Sequence, residues 1–145
     1  MFEKSGAHRF DYPLHEGTST RVQFHFADSM GMPVAIQTWE LAPGGYEGMH
    51  VHEPGEHALE EFYLVLDGTA TMRVGEREHE LAPGDSVLAR VGVPHDVQNT
   101  GTGVLRLLVV WGKPGSKDFS EYGSFAAALR TRAQENEAPG TGDTT

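Results

Sequence analysis

Apolar and polar residues alternate with a period of two in a series of short segments in the middle of the chain. Alternation over about four to eight residues is typical of strands that are buried on one side. Clusters of Gly, Pro and Asp separate the segments and predict tight turns. Many short strands at this spacing favour an all-β sandwich or barrel. The predicted strands cover residues 21–26, 34–41, 62–66, 69–74, 77–81, 86–91 and 104–111.

The pattern changes on both sides of this region. The N-terminal residues are polar and irregular, and we expect them to form an arm. After Pro114 apolar side chains recur at helical spacing, so we expect one helix, which Ser116 or Asp118 can cap and which packs on the outside of the strands. The C-terminal residues are rich in Gly, Pro and Thr, and we expect a disordered tail. The predicted boundaries are 1–20 for the arm, 21–114 for the β-barrel, 115–136 for the helix and 137–145 for the tail.

Composition limits the function classes. The 145 residues suffice for one domain, and the 38% that are hydrophobic suffice for a core. The absence of cysteine excludes disulfides, thiolate zinc sites and iron–sulfur clusters. A net charge of −10 disfavours nucleic acid and anionic membranes as partners. The longest apolar run, residues 107–111, is far shorter than a membrane span, and residues 1–4 do not form a signal pattern, so we expect a cytoplasmic protein.

Two histidines, His50 and His52, stand two positions apart in one extended segment. Side chains at positions i and i+2 of a strand point to the same side, so both imidazoles can reach one metal ion. Lys and Arg are absent between Arg21 and Arg73, where carboxylates are frequent, and such an excess of negative charge favours a cation. The alternative is a solvent-facing strand edge beside an acidic loop.

Two further clusters make the histidine pair more specific. Glu61 begins an apolar strand that ends at Gly68, seven positions later. Downstream, the pattern continues with Gly84, Gly92, His95 and Asn99. The order and spacing of these residues resemble the two conserved motifs of the cupin family, although Arg90 stands where the family usually has proline. The resemblance covers about residues 34–111 and implies a jelly-roll barrel with one metal ion.

The first motif departs from the family pattern between its second histidine and its glutamate. The family usually has a shorter segment there than the eight residues that separate His52 from Glu61. Counted from His52, the fourth ligand position falls on His57; counted back from Gly68, it falls on Glu61. If residues 56–61 form a helical turn, both side chains lie on one face. We favour His57 as the ligand and Glu61 as a neighbouring catalytic base or an alternative ligand. The predicted metal ligands are then His50, His52, His57 and His95.

The strand that begins at Glu61 also predicts the lining of a pocket. Tyr63 and Val65 share the parity of Glu61, so we expect them to face the interior. Residues 62, 64 and 66 should face away from it. We interpret the remaining histidines as structural or solvent-exposed, and these are His8, His15, His25 and His79.

Neutral imidazoles with a carboxylate and no thiolate suit several divalent metal ions. We expect one such ion, with zinc in the first place and iron or manganese as alternatives. It can polarise a carbonyl while Glu61 moves a proton. The resemblance to cupins, and among them to the cyclases of aromatic polyketide pathways, implies aldol-type ring closure of a small-molecule substrate in antibiotic biosynthesis.

Two other functions stay open at this point. Iron, copper or manganese in the same ligand set implies a dioxygenase that acts on an aromatic or enol substrate. A cupin can also be a non-enzymatic small-molecule binder, although no DNA-binding segment is visible to suggest a regulator. Single cupins commonly form dimers, and the N-terminal arm can add a strand to a neighbour, so we expect a homodimer.

Overall fold

The computed structural model describes residues 1–115 and 117–137. Contacts divide the chain into two units, residues 1–114 and residues 115–145. No helix in the described part of the chain is long and apolar enough to cross a membrane. The first unit contains the strands β1 (Phe10–Pro13), β2 (Ser19–Phe24), β3 (Val34–Leu41), β4 (Glu60–Asp67), β5 (Ala70–Val74), β6 (Arg77–Leu81), β7 (Ser86–Ala89), β8 (His95–Asn99) and β9 (Leu105–Gly112).

The strands form two antiparallel sheets. The larger sheet has six strands in the order β1-β2-β3-β9-β4-β7, and the smaller sheet has three in the order β6-β5-β8. The sequence predicts one jelly-roll barrel, whereas the hydrogen-bonded ladders of the described residues form two separate sheets that do not close on each other. The all-β prediction for this region is confirmed, and closure into a barrel is not observed.

Both sheets contribute to one hydrophobic core. The inward-facing residues of β4 are Glu61, Tyr63 and Val65, and each is buried, whereas the residues between them are more exposed. This agrees with the parity that the sequence predicts for this strand. The buried apolar cluster comprises Val22, Trp39, Leu41, Tyr63, Val65, Ala70, Met72, Leu81, Ala89, Val97, Leu105, Leu107 and Val109.

The N-terminal segment is more regular than an arm. β1 pairs with β2 of the same chain, with Phe10 opposite Val22, and β2 begins within the segment that the sequence assigns to the arm. A 3-10 turn at Leu14–Glu16 joins the two strands. All four residues of β1 are exposed, so this strand has no buried face whose side chains would alternate with exposed ones.

The second unit contains one helix, α1 (Gly123–Glu137), which begins later than the predicted boundary at residue 115. Asp118 does not cap this helix, because its carboxylate accepts a hydrogen bond from the backbone N–H of Ser120, ahead of the first turn. The Phe119 ring packs edge-on against Tyr122 and Phe125. Ser116 and the tail from residue 138 lie outside the described residues, and packing of the helix on the strands stays a prediction.

Two glycines let the 3-10 turn approach the segment before His50 very closely. A Cβ atom on Gly48 would overlap the carbonyl oxygen of His15, and a Cβ atom on Gly17 would overlap the carbonyl oxygens of Tyr46 and Glu47. Gly48 also has a φ of +107°, which side chains disfavour. The contact fixes the N-terminal turn beside the histidine pair.

We expect Gly48→Ala to lower the free energy of unfolding by about 2 kcal/mol or more, because the new methyl group combines a backbone clash with a strained φ. Urea unfolding measures the change. Gly31→Ala is the matched control, since a Cβ atom at Gly31 meets nothing within 4 Å. Equal stability of the two variants would show that the turn does not pack on this segment as described.

Candidate metal centre

Three histidine side chains converge on one carboxylate oxygen. The Nε2 atoms of His50, His52 and His95 lie 3.1, 3.0 and 2.8 Å from Oε2 of Glu61. One ligand atom from each of the four residues lies within 4.8 Å of all the others. His95 and Glu61 are buried, and His50 and His52 are partly exposed. The group is therefore buried on the side of His95 and Glu61 and more open to solvent on the side of His50 and His52.

Local backbone structure brings these residues together. His50 and His95 form an isolated antiparallel bridge, in which each backbone N–H donates to the carbonyl oxygen of the other residue. The side chain of His52 reaches the same oxygen of Glu61 as that of His50, as expected for positions i and i+2 of an extended segment. Glu61 lies on the inner face of β4, so its side chain meets the histidines from the larger sheet.

Backbone carbonyls set the tautomers of two rings. The Nδ1–H group of His50 donates to the carbonyl oxygen of Gly48 at 2.9 Å, and that of His95 donates to Val93 at 2.8 Å. Their Nε2 atoms then carry lone pairs, which point at a carboxylate oxygen that also carries lone pairs. A cation relieves this repulsion, and carbonyl-oriented imidazoles are the usual arrangement of histidine ligands. The donor set therefore fits a divalent metal ion.

The carboxyl group of Glu61 is held in its ionised form. Burial raises its pKa, but protons or a cation shared with the Nε2 atoms of His50, His95 and His52 outweigh burial and hold the pKa below its usual range. An ionised carboxylate is the form that binds a metal ion. Glu61 therefore has the position and the charge of a fourth ligand, rather than the neighbouring position predicted from the sequence.

His57 does not join this cluster. Its side chain is exposed in the loop between His52 and β4, and it belongs to neither His/Asp/Glu cluster of the described residues that could hold a metal ion. It lies four positions before Glu61, but residues 56–61 do not form a helical turn, because β4 already begins at Glu60. The structure therefore brings three of the four predicted histidines to Glu61 and leaves His57 apart, and we propose three histidines and one glutamate as the ligands in place of four histidines.

A second carboxyl group lies behind the cluster. Glu47 is fully buried, and the Tyr63 hydroxyl lies 3.1 Å from each of its oxygens and 3.0 Å from Oε2 of Glu61. Burial, followed by the charge of Glu61, raises the pKa of Glu47 well above its usual value. A protonated Glu47 can donate to the Tyr63 oxygen while Tyr63 O–H donates to Glu61. This series of hydrogen bonds, from Glu47 through Tyr63 to Glu61, holds the Glu61 carboxylate in place.

His15 is also part of the site, although the sequence predicts a structural or solvent-exposed histidine in the arm at this position. Its ring stacks on His50, with 3.5 Å between centroids and 4° between planes, and its Nε2 lies 4.0 Å from Oε1 of Glu47. Its backbone is left-handed, with a φ of +41°. Burial, followed by the charge of His50, lowers the pKa of His15 to about 4. No spacing pattern links position 15 to the motifs, so only the fold reveals it.

A cavity of about 420 Å³ opens beside the cluster. Its wall is mainly apolar and aromatic, and the metal centre contributes His52 and Glu61 at one end. A volume of this size is typical of small-molecule sites. The cavity is lined by Phe10, Tyr12, Leu14, His15, Val22, Phe24, Gln37, Trp39, His52, Leu59, Glu61 and Trp111.

Comparison with known proteins agrees with this fold. The model of the family described as "Cupin_2: Cupin domain" matches residues 37–111. A structure described as a predicted oxalate decarboxylase from Thermotoga maritima superposes with a TM-score of 0.70 at 20% identity, over 79% of this chain and 99% of that chain. The structure of a protein from Thermus thermophilus, TT1209, superposes with a TM-score of 0.52 at 35% identity, over 59% of this chain and 78% of that chain.

One similarity is to a curated regulator. The HTH-type transcriptional regulator PuuR of Escherichia coli is 24% identical over 93 residues, which cover 64% of this chain and 47% of the regulator. The chain therefore spans about half the length of the curated relatives it matches.

The metal content of variants tests the composition of the centre. We expect protein purified without a His-tag to carry about one divalent ion per chain, and Glu61→Gln to weaken metal binding by about 100-fold or more. Mutation of a residue that only hydrogen-bonds to a metal ligand typically weakens metal binding about 10–100-fold, so loss of a ligand itself should weaken it at least as much. Mass spectrometry of the metals and competition with a chelator measure both effects.

His57→Ala should keep its metal, as should His79→Ala, which removes another exposed histidine. Loss of metal from His57→Ala alone, with Glu61→Gln unaffected, would restore His57 as the ligand.

Proposed function

The chain belongs to the cupin domain family, and we propose that it is a metal-dependent enzyme whose substrate is a small, flat and largely apolar carbonyl compound. The observation that carries this proposal is the cavity, whose apolar wall ends at the metal centre. Flat ligands stack well on aromatic side chains, and Phe24, Trp39 and Trp111 supply such surfaces. A divalent ion held by the three histidines and Glu61 would supply Lewis-acid polarisation of a carbonyl oxygen.

The residues of this chain divide the remaining tasks. The aromatic wall binds the substrate and excludes water. Glu61, surrounded by three Nε2 atoms, acts as a ligand and is not free to accept a proton from carbon. We therefore assign proton transfer to His15, which lies on the cavity wall and is not one of the group His50, His52, Glu61 and His95, although with Glu47 and His50 it forms a second group that could hold a metal ion. Its partial exposure lets it exchange protons with solvent.

The specific reaction that we propose is aldol-type ring closure of an aromatic polyketide intermediate. His15 removes a proton from the carbon beside one carbonyl group, and that carbon attacks a second carbonyl carbon of the same molecule. The resulting alkoxide oxygen takes the proton back, and loss of water leaves the new ring. The apolar cavity supports this reaction, since a partly cyclised poly-β-ketone contains flat aromatic rings and presents several carbonyl oxygens.

A dioxygenase is the second candidate reaction. The donor set contains a carboxylate in place of a fourth imidazole, and an oxygen ligand suits iron and manganese as well as zinc. This observation favours oxygen chemistry more than a four-histidine site does. A ligand-sensing role without catalysis is a further candidate, and the similarity to PuuR over 93 residues supports it.

Deuterium exchange at carbon tests the proposed enzyme. We expect the zinc-loaded protein to accelerate exchange of the protons beside the carbonyl of 1-tetralone, a flat bicyclic ketone, in heavy water. His15→Phe should slow this exchange by about 100-fold, the lower end of the usual contribution from a general base. The phenyl ring keeps the stack on His50, so the loss would report the ring nitrogens. Proton NMR follows the rate.

His25→Phe is the matched control, because His25 bonds to Thr38 and does not line the cavity beside the metal centre. Oxygen consumption by the iron-loaded protein, without exchange by the zinc-loaded protein, would replace the cyclase with a dioxygenase. Tight ketone binding with neither activity would favour the sensing role.

A further inference from the structure

Gln37 is a buried polar side chain in the apolar wall of the cavity. It lies on β3, on the same face as Trp39, and is 2% exposed. Its backbone neighbours across the sheet are Phe24 on β2 and Val109 on β9. Outside the metal centre, it is the buried amide among the described residues that line this cavity. A polar group in such a wall needs a hydrogen-bonding partner.

The Gln37 amide has a partner for only one of its ends. The indole N–H of Trp39 donates to Oε1 of Gln37 at 2.6 Å, which fixes the oxygen on that side of the amide. The Nε2 atom, which carries two N–H donors, is buried and has no hydrogen-bond partner among residues 1–115 and 117–137. Buried donors without a partner are rare and destabilising. Because Gln37 lines the cavity, a ligand there can supply the missing acceptor once the amide turns toward it.

We propose that Gln37 Nε2 donates a hydrogen bond to an acceptor oxygen of the substrate, at the end of the molecule that is remote from the metal centre. The proposal rests on the proposed function, from which it adopts the position of the other end of the substrate at the metal. Gln37 is then a specificity-determining residue. It selects flat molecules that carry an oxygen atom at both ends over hydrocarbons of the same shape.

The sheet register gives the length of such a substrate. Gln37 is opposite Val109, and Val109 is opposite Tyr63, so Gln37 and Tyr63 are two strands apart. Glu61 lies two residues further along β4. Strand spacings of about 4.8 Å and rises of about 3.4 Å per residue place the Cα atoms of Gln37 and Glu61 about 12 Å apart. Two fused rings with an oxygen atom at each end are of this order of length, whereas a two-carbon diacid is much shorter.

Two probes of equal size test the proposal by calorimetry on the zinc-loaded protein. Both 2,3-dihydroxynaphthalene and 6,7-dihydroxycoumarin carry a catechol for the metal, but only the coumarin carries a carbonyl oxygen at its other end. We expect the coumarin to gain about tenfold in affinity from the Gln37 hydrogen bond in the wild type. Gln37→Met should remove that gain, so that the coumarin and the naphthalene bind the variant with equal affinity. Gln98→Met is the matched control, since Gln98 is exposed on β8.

Gln37→Met also leaves the Trp39 N–H without an acceptor, so a second measurement on the wild-type protein is needed. In ¹⁵N NMR spectra, the side-chain NH₂ signals of Gln37 should shift when the coumarin binds, and shift far less with the naphthalene. Gln37→Glu, which retains an acceptor for Trp39, assigns these signals by their absence.

The outcomes separate the two proposals. Equal affinities of the coumarin and the naphthalene for the wild type and Gln37→Met, with unshifted amide signals, overturn the role of Gln37 and leave the proposed function standing. Failure of the zinc-loaded protein to bind either catechol overturns both. If the coumarin binds the wild type and Gln98→Met more tightly than the naphthalene does, and Gln37→Met removes this difference, the assignment is supported.

Discussion

The ionised carboxylate of Glu61 is the group whose burial the rest of the site has to compensate. It is 3% exposed, and an unpaired carboxylate in the protein interior is strongly destabilising. Three imidazole nitrogens and the Tyr63 hydroxyl surround it at 2.8 to 3.1 Å. Two of these imidazoles, His50 and His95, already donate from Nδ1 to backbone carbonyls, so their Nε2 lone pairs face the carboxylate. A cation between these nitrogens and the carboxylate would stabilise both. The backbone bridge between His50 and His95 therefore positions two of the side chains that surround Glu61.

The N-terminal segment completes the site instead of standing apart from it. β1 adds Phe10 and Tyr12 to the cavity wall, and the 3-10 turn adds Leu14 and His15. The turn can approach the segment before His50 only because Gly17 and Gly48 have no side chains. His15 keeps a left-handed backbone there, and such strain persists where surrounding contacts fix it. The stability of this segment and the shape of the cavity therefore depend on the same contacts.

The contrast between the cavity wall and its few polar groups shapes the proposed chemistry. In an apolar wall, each hydrogen bond and each charge acts with little screening by water. The metal centre occupies one end, His15 stands beside it, and Gln37 lies two strands from Tyr63. A substrate held between these points is oriented by its oxygen atoms and enclosed by aromatic rings. This is why we propose flat carbonyl compounds and not small diacids as substrates.

Sequence patterns of short range were sufficient for most strands and for three of the four residues of the candidate metal centre. Alternation along β4 gave the burial of Glu61, Tyr63 and Val65, since strand geometry repeats every two residues. The spacing of His50 and His52, and the position of His95 in the second motif, identified three of the four residues that converge. The start of α1 was misjudged, because the capping signal at Asp118 serves a separate turn.

By itself, then, the sequence determined the all-β class, the inward face of β4 and the three histidines that converge, because these follow from the local geometry of extended chains. Only the tertiary structure decided between His57 and Glu61, since a loop of eight residues does not fix the direction of its side chains. It alone brought His15, Glu47 and Gln37 to the site. These residues meet through contacts between strands far apart in the chain, and no local period records such contacts.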